Sequence, residues 1–85
     1  MPPTISQFYG IRVVMFLKQK EHNPPHIHAY YGGDEAKFLI KTGEIYEGSF
    51  PNIGRKFVKE FISKNKKELI GMWETGKYKK LPPIE

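Results

Sequence analysis

All three histidines of the chain lie between positions 22 and 28, and a pair of prolines separates His22 from His26 and His28. Histidine changes its charge near neutral pH, so it can act as a general base or a general acid. If the segment after the prolines is a strand, His26 and His28 share one face with their Cα atoms about 7 Å apart. Such a pair could remove one proton and deliver another during metal-independent cleavage of RNA.

Other residues of the same face could assist this chemistry. Tyr30 follows at the same strand spacing, so the predicted catalytic set is His26, His28 and Tyr30. Cationic side chains would stabilise the negative charge that develops on a phosphate. The predicted binding residues are Arg12, Phe16, Lys18, His22, Lys37 and Lys41.

Two other roles for the histidines remain open. His22, His26 and His28 could bind a metal ion, as three protein ligands do in a catalytic zinc site. His22 would join the other two only if the diproline link turns sharply, and Asp34 or Glu35 might otherwise supply a carboxylate. Alternatively, His26 and His28 hydrogen-bond the backbone of the proline loop and have a structural role. The favoured hypothesis needs no metal and no cofactor.

Length and composition favour one small domain, residues 1–85, whose stability comes from apolar packing because the chain has no cysteine. We find neither an apolar run long enough for a bilayer nor a signal-peptide pattern, and we expect a cytoplasmic protein with no membrane partner. The formal net charge is +5, and the basic residues concentrate between positions 55 and 80. Such a charge favours RNA or an acidic protein as partner, although lysines also keep small proteins soluble.

The periodicity of apolar residues predicts an α+β fold. An antiparallel four-stranded β-meander, with strands at about 11–17, 26–31, 35–41 and 45–50, precedes one long or two short helices packed on one face. The helices are expected at about 52–64 and 66–75, with Asn65 at a possible second start and Gly76 as a stop. Residues 77–85 are predicted to form an extended tail. Gly43 is expected in a tight turn, and Gly48 at a bulge.

Alternation along the predicted strands separates two faces of the sheet. The helices should cover Ile11, Val13, Met15, Ile27, Ala29, Phe38 and Ile40. The opposite face would carry Arg12, Val14, Phe16, Lys18, His26, His28, Tyr30, Lys37, Leu39 and Lys41. This basic and aromatic surface suits RNA, whose bases stack on aromatic rings. It also suits a protein partner, or the proline-rich tail folding back over its apolar side chains.

Several segments resemble the bacterial family called domain of unknown function 4160. They are Pro3-Thr4-Ile5-Ser6, Phe8-x-Gly10-Ile11, His22-Asn23-Pro24-Pro25-His26-Ile27-His28, Thr42-Gly43-Glu44, the helical region ending at Trp73, and Leu81-Pro82. Phe61 departs from the family pattern, which often has tryptophan there. Members are often encoded beside a second small protein, so the resemblance implies a toxin–antitoxin pair with this chain as the toxin. Its expected partners are a small antitoxin-like protein and RNA.

Overall fold

The computed structural model describes residues 3–16 and 24–84, which form an antiparallel sheet followed by one helix. The five strands are neighbours in chain order, so the sheet is a meander. Its elements are β1 (Thr4–Phe8), β2 (Ile11–Val14), β3 (His26–Tyr31), β4 (Asp34–Leu39), β5 (Ile45–Gly48) and the helix α1 (Asn52–Thr75). The α+β class and the antiparallel sheet are confirmed, whereas the predicted number of four strands is wrong.

The additional strand is β1, which pairs with β2 through a two-residue turn. Tyr9 and Gly10 form this turn with φ values of 51° and 79°. Turns with two positive φ angles match the twist of a hairpin, but Asn, Asp or Gly normally occupies the first position. Tyrosine at that position hides the turn in the sequence. The sequence therefore gives no hairpin signal before Ile11, and β1 was not predicted.

The predicted core face is confirmed, because every residue expected under the helix is buried there. From α1, the buried contributors include Val58, Phe61, Ile62, Leu69 and Trp73. Ile53, in the first turn of α1, is 56% exposed.

α1 is one helix with an internal irregularity. Asn65 has φ −124° and ψ 21°, which are not helical values. Its side-chain amide donates a hydrogen bond to the Phe61 carbonyl at 2.9 Å. The second predicted helix therefore continues the first after one distorted residue. Gly76 ends α1 in a left-handed conformation, with its N–H bonded to the Met72 carbonyl at 2.8 Å, as predicted. No helix in the described part of the chain is long and apolar enough to cross a membrane.

The residues after α1 pack along the first strand. The N–H of Leu81 donates to the carbonyl of Ile5 at 2.7 Å, and Leu81 and Ile84 are buried in the core cluster. An edge strand carries backbone groups that can pair with another chain, and this contact satisfies one of them. The tail thus contacts the core and β1, whereas the sequence also allowed it to cover Phe16.

Candidate functional site

The histidines lie on the side of the sheet opposite the core residues of β3. Directly paired residues of antiparallel strands project from the same face. His28 is paired with Val14 on one side and Lys37 on the other, and Lys37 is paired with Glu47. The next row contains Arg12, Tyr30 and Glu35, and a third contains His26 and Leu39. We call this surface the outer face.

The imidazole rings of His26 and His28 are direct neighbours. Their centroids are 5.3 Å apart, and the ring planes are tilted by 50°. Strand β3 sets this arrangement, because alternate residues of a strand project from the same face. The strand therefore places the two imidazole rings side by side on the outer face.

A backbone hydrogen bond fixes the orientation of His26. Nδ1 lies 2.8 Å from the carbonyl oxygen of Pro24. Because a carbonyl oxygen can only accept, Nδ1 must carry the proton, and Nε2 is the lone-pair nitrogen of the neutral ring. The ring also contacts Trp73 and Tyr46 at centroid distances of 5.1 and 5.5 Å. His26 is only 2% exposed.

His28 lies closer to charged side chains of the outer face. Its Nδ1 is 3.7 Å from a carboxylate oxygen of Glu35, a distance that permits an ion pair when the imidazole is protonated. The ring of Phe16 meets it edge-on at 4.4 Å between centroids. His28 is 5% exposed, and the Glu35 side chain beside it is 56% exposed. His28 therefore lies at the margin between the aromatic cluster and the charged surface.

The histidines are much less open than the sequence indicated. We expected both rings on a face that the helix leaves bare, but Trp73 of α1 contacts His26 and Phe16 contacts His28. Both contacts join segments that are distant in the sequence. Strand alternation predicts which side a residue faces, but it does not predict which aromatic rings will cover that side.

The other predicted residues are distributed around this cluster. The guanidinium of Arg12 lies 5.2 Å from the centre of the Tyr30 ring, and it donates to Thr4 Oγ1 at 3.3 Å. Lys37 is paired with Glu47 at 3.2 Å and lies 6.0 Å from the centre of the Tyr46 ring. The outer face therefore combines aromatic rings with two cations, of which Lys37 is paired with a carboxylate.

Lys41 is separated from this group. It is exposed after the end of β4, where its carbonyl accepts a hydrogen bond from Lys66 Nζ at 2.7 Å. Lys18 and His22 lie outside the described residues. The structure thus brings together Arg12, Phe16, His26, His28, Tyr30 and Lys37 on the outer face.

A family comparison covers most of this architecture. The model of a family described as a domain of unknown function (DUF4160) matches residues 10–74, which is more than half of the chain. The chain belongs to this family. The match spans β2 to β5 and nearly all of α1, so it includes the histidine cluster of the DUF4160 domain. Neither a search of curated proteins nor a search of solved structures found a match.

Within the DUF4160 domain, the predicted metal site includes His22, which lies outside the residues that the structure describes. Among residues 3–16 and 24–84, no group of three or more histidines or carboxylates is close enough to hold a metal ion. The ligand set suggested by the sequence included His22, which is not among them.

Three residues around the site were not among the predicted catalytic and binding residues, although Glu35 was considered as a metal ligand. Glu35 follows from pairing with Tyr30 once the β3–β4 register is known. Tyr46 belongs to the irregular part of β5, where pairing shifts between Lys37 and Phe38, so its side could not be assigned by alternation. Trp73 belongs to the core cluster, and its contact with His26 depends on tertiary packing.

Proposed function

We propose that this protein is the toxin-like subunit of a two-gene toxin–antitoxin pair and that it acts on RNA through its outer face. The observation that carries this proposal is the pair of imidazole rings 5.3 Å apart, with Lys37 opposite His28 in its cross-strand row. RNA provides an internal nucleophile, the 2′-hydroxyl group. Cleavage therefore needs only a base, an acid and a cationic group near the phosphate.

The proposed reaction assigns different tasks to the two histidines. One imidazole takes the proton of the 2′-hydroxyl as its oxygen attacks the phosphorus atom. The other gives a proton to the departing 5′-oxygen, so a 2′,3′-cyclic phosphate and a free 5′-hydroxyl are formed. The hydrogen bond to Pro24 leaves Nε2 as the nitrogen of His26 that can exchange a proton. Lys37 is suited to stabilise the additional negative charge on the phosphate.

A second candidate function is a non-catalytic module that binds RNA or a small partner protein. The burial of His26 and His28, at 2% and 5% exposure, supports it. In this alternative the histidine–proline block is structural: His26 closes the loop onto Pro24, and the ring cluster supports the aromatic and basic residues of the outer face. Binding would then use Arg12, Tyr30 and Lys37, without bond cleavage.

An RNA cleavage assay with the purified full chain separates these functions. It should compare wild type, His28→Gln and His26→Asn, with EDTA present and with thermal melting of each variant. The catalytic proposal predicts that His28→Gln loses at least about a hundredfold in cleavage rate, as expected for general acid–base groups, while its melting temperature changes little. RNA affinity should fall steeply with rising salt, since cations displace phosphate counterions.

A different experimental result would rule out each proposed function. Full cleavage activity in a folded His28→Gln variant would remove the catalytic role. RNA binding without cleavage by the wild-type chain would leave the non-catalytic module. Binding of the proposed partner protein is tested by co-expressing the chain with the adjacent gene. Arg12→Ala changes the outer face and tests whether the partner binds there. Normal growth on expression of the chain alone would argue against a toxin.

A further inference from the structure

A separate cleft lies away from the outer face, between the turn that joins β4 to β5 and the first turns of α1. Its volume is about 510 Å³. Pockets for small molecules typically range from about 300 to 1,000 Å³, so this space fits a molecule of nucleotide size. The helix provides Asn52, Arg55, Lys56 and Lys59, the turn provides Gly43 and Glu44, and β5 provides Ile45. No residue of the histidine cluster lines it.

The charges of this cleft are not balanced. Lys59 Nζ pairs with Glu44 Oε2 at 2.6 Å. This hydrogen bond and the charge of Lys59, with a smaller contribution from Arg55, lower the pKa of Glu44. Within the described part of the chain, Arg55 and Lys56 have no carboxylate within ion-pair distance. The single acid of the cleft is thus matched by Lys59, and two cations remain for a ligand.

The turn at Gly43 and the start of α1 form the surroundings of Arg55 and Lys56 in the cleft. Gly43 has a φ of 77°, and a Cβ atom there would lie 2.9 Å from Cγ of Lys59. The Lys59 stem therefore lies directly on the turn. α1 begins beside it with no side-chain cap on its first N–H groups and no acidic residue in its first turn. Unsatisfied N–H groups at a helix start add positive potential to that of the side chains.

We infer that this cleft binds a phosphate monoester, with Arg55 and Lys56 as its charged contacts. The planar guanidinium of Arg55 can hold two phosphate oxygens at once, and Lys56 supplies a second positive charge. The phosphate group can belong to a free nucleotide or to the 5′ end of an RNA. The site is independent of the proposed function, because it shares no residue with the outer face.

Binding measurements with the full chain test this inference. The probes are AMP, adenosine, inorganic phosphate, and one short RNA prepared with either a 5′-phosphate or a 5′-hydroxyl end. AMP should bind at least about tenfold more tightly than adenosine. Arg55→Gln and Lys56→Gln should each weaken AMP binding about tenfold, as expected for the loss of a charge-assisted contact.

Lys67→Gln is the matched control, because Lys67 is an exposed cation of the same helix outside the cleft. It should change AMP affinity less than twofold. An equal loss in Lys67→Gln would mean that the overall positive charge attracts the ligand, and it would overturn the site. Equal affinities for AMP and adenosine would do the same. A preference for the 5′-phosphorylated RNA over both the 5′-hydroxyl RNA and AMP identifies an RNA end, whereas tighter AMP binding identifies a free nucleotide.

Discussion

At the scale of single residues, His26 combines a fixed tautomer with almost complete burial. The hydrogen bond to the Pro24 carbonyl connects the start of β3 to the diproline segment. Contacts with Trp73 connect the same ring to α1. A side chain with these contacts contributes to stability whether or not it also transfers protons.

Substitutions of His26 can separate its hydrogen bond from its ring packing. In His26→Ala, the ring contacts are lost and the Pro24 carbonyl loses its donor, so we expect the free energy of unfolding to fall by about 2–4 kcal/mol. Asparagine places an amide N–H near the position of Nδ1, so His26→Asn should lose about 1 kcal/mol less. Urea denaturation measures both values. Equal losses would show that the hydrogen bond adds nothing to stability.

The sequence was informative about which residues of the site share a face. The spacing of His26, His28 and Tyr30 in a strand was sufficient for that prediction, because side-chain direction in a strand is a local property. The covering of the rings by Phe16 and Trp73 was not predictable, because it depends on how distant segments pack. Accessibility, which decides between a catalytic and a structural histidine, is therefore the property that the sequence did not provide.

At the scale of elements, two glycines differ sharply in what their positions require. Gly48 ends β5 with φ 95°, and a Cβ there would lie 2.4 Å from the Glu35 carbonyl oxygen. Gly71 lies within α1 and is exposed to solvent, and a Cβ there would meet nothing within 4 Å. The first glycine allows β5 to approach β4, whereas the second only lowers helix propensity.

This difference predicts opposite effects of the same substitution. Gly48→Ala should destabilise the protein by more than about 1 kcal/mol, because alanine is strained at this φ and contacts the β4 backbone. Gly71→Ala should stabilise it by about 0.5–1 kcal/mol, through helix propensity alone. Thermal and urea unfolding provide the comparison. If Gly48→Ala proved neutral, the close approach of the two strands would be incorrect.

The elements also show how far local patterns determine the fold. The β3 prediction coincides with the observed strand, and the helix predicted from about residue 52 begins at Asn52. The first strand was missed because its hairpin turn has Tyr9 at a left-handed position. Asn65 left open whether one long helix or two short helices follow the sheet, and the structure gives the physical reason. The residue leaves helical geometry, yet its side chain bonds to the preceding turn and the helix continues.

At the scale of the whole molecule, the tail after α1 links the stability of the fold to alkaline pH. Tyr78 is half-buried against the core cluster, three residues before the Leu81 contact with β1. Burial raises the pKa of the Tyr78 phenol above its ordinary value of 10.0. The folded protein therefore holds this proton more tightly than the unfolded chain does.

The sign of the resulting pH dependence follows from linkage. Well below pH 10 the phenol is protonated in both states, and its contribution to stability is fully present. As the pH rises from about 10 through the folded-state pKa, the unfolded chain loses the proton first, so the free energy of unfolding falls. Tyr78→Phe should make this alkaline decrease shallower in urea denaturation at pH 9 to 11. Tyr9→Phe, at a tyrosine that is 52% exposed, is the control for the phenol-to-phenyl change. Identical slopes for wild type and Tyr78→Phe would show that the tail does not keep this phenol from water.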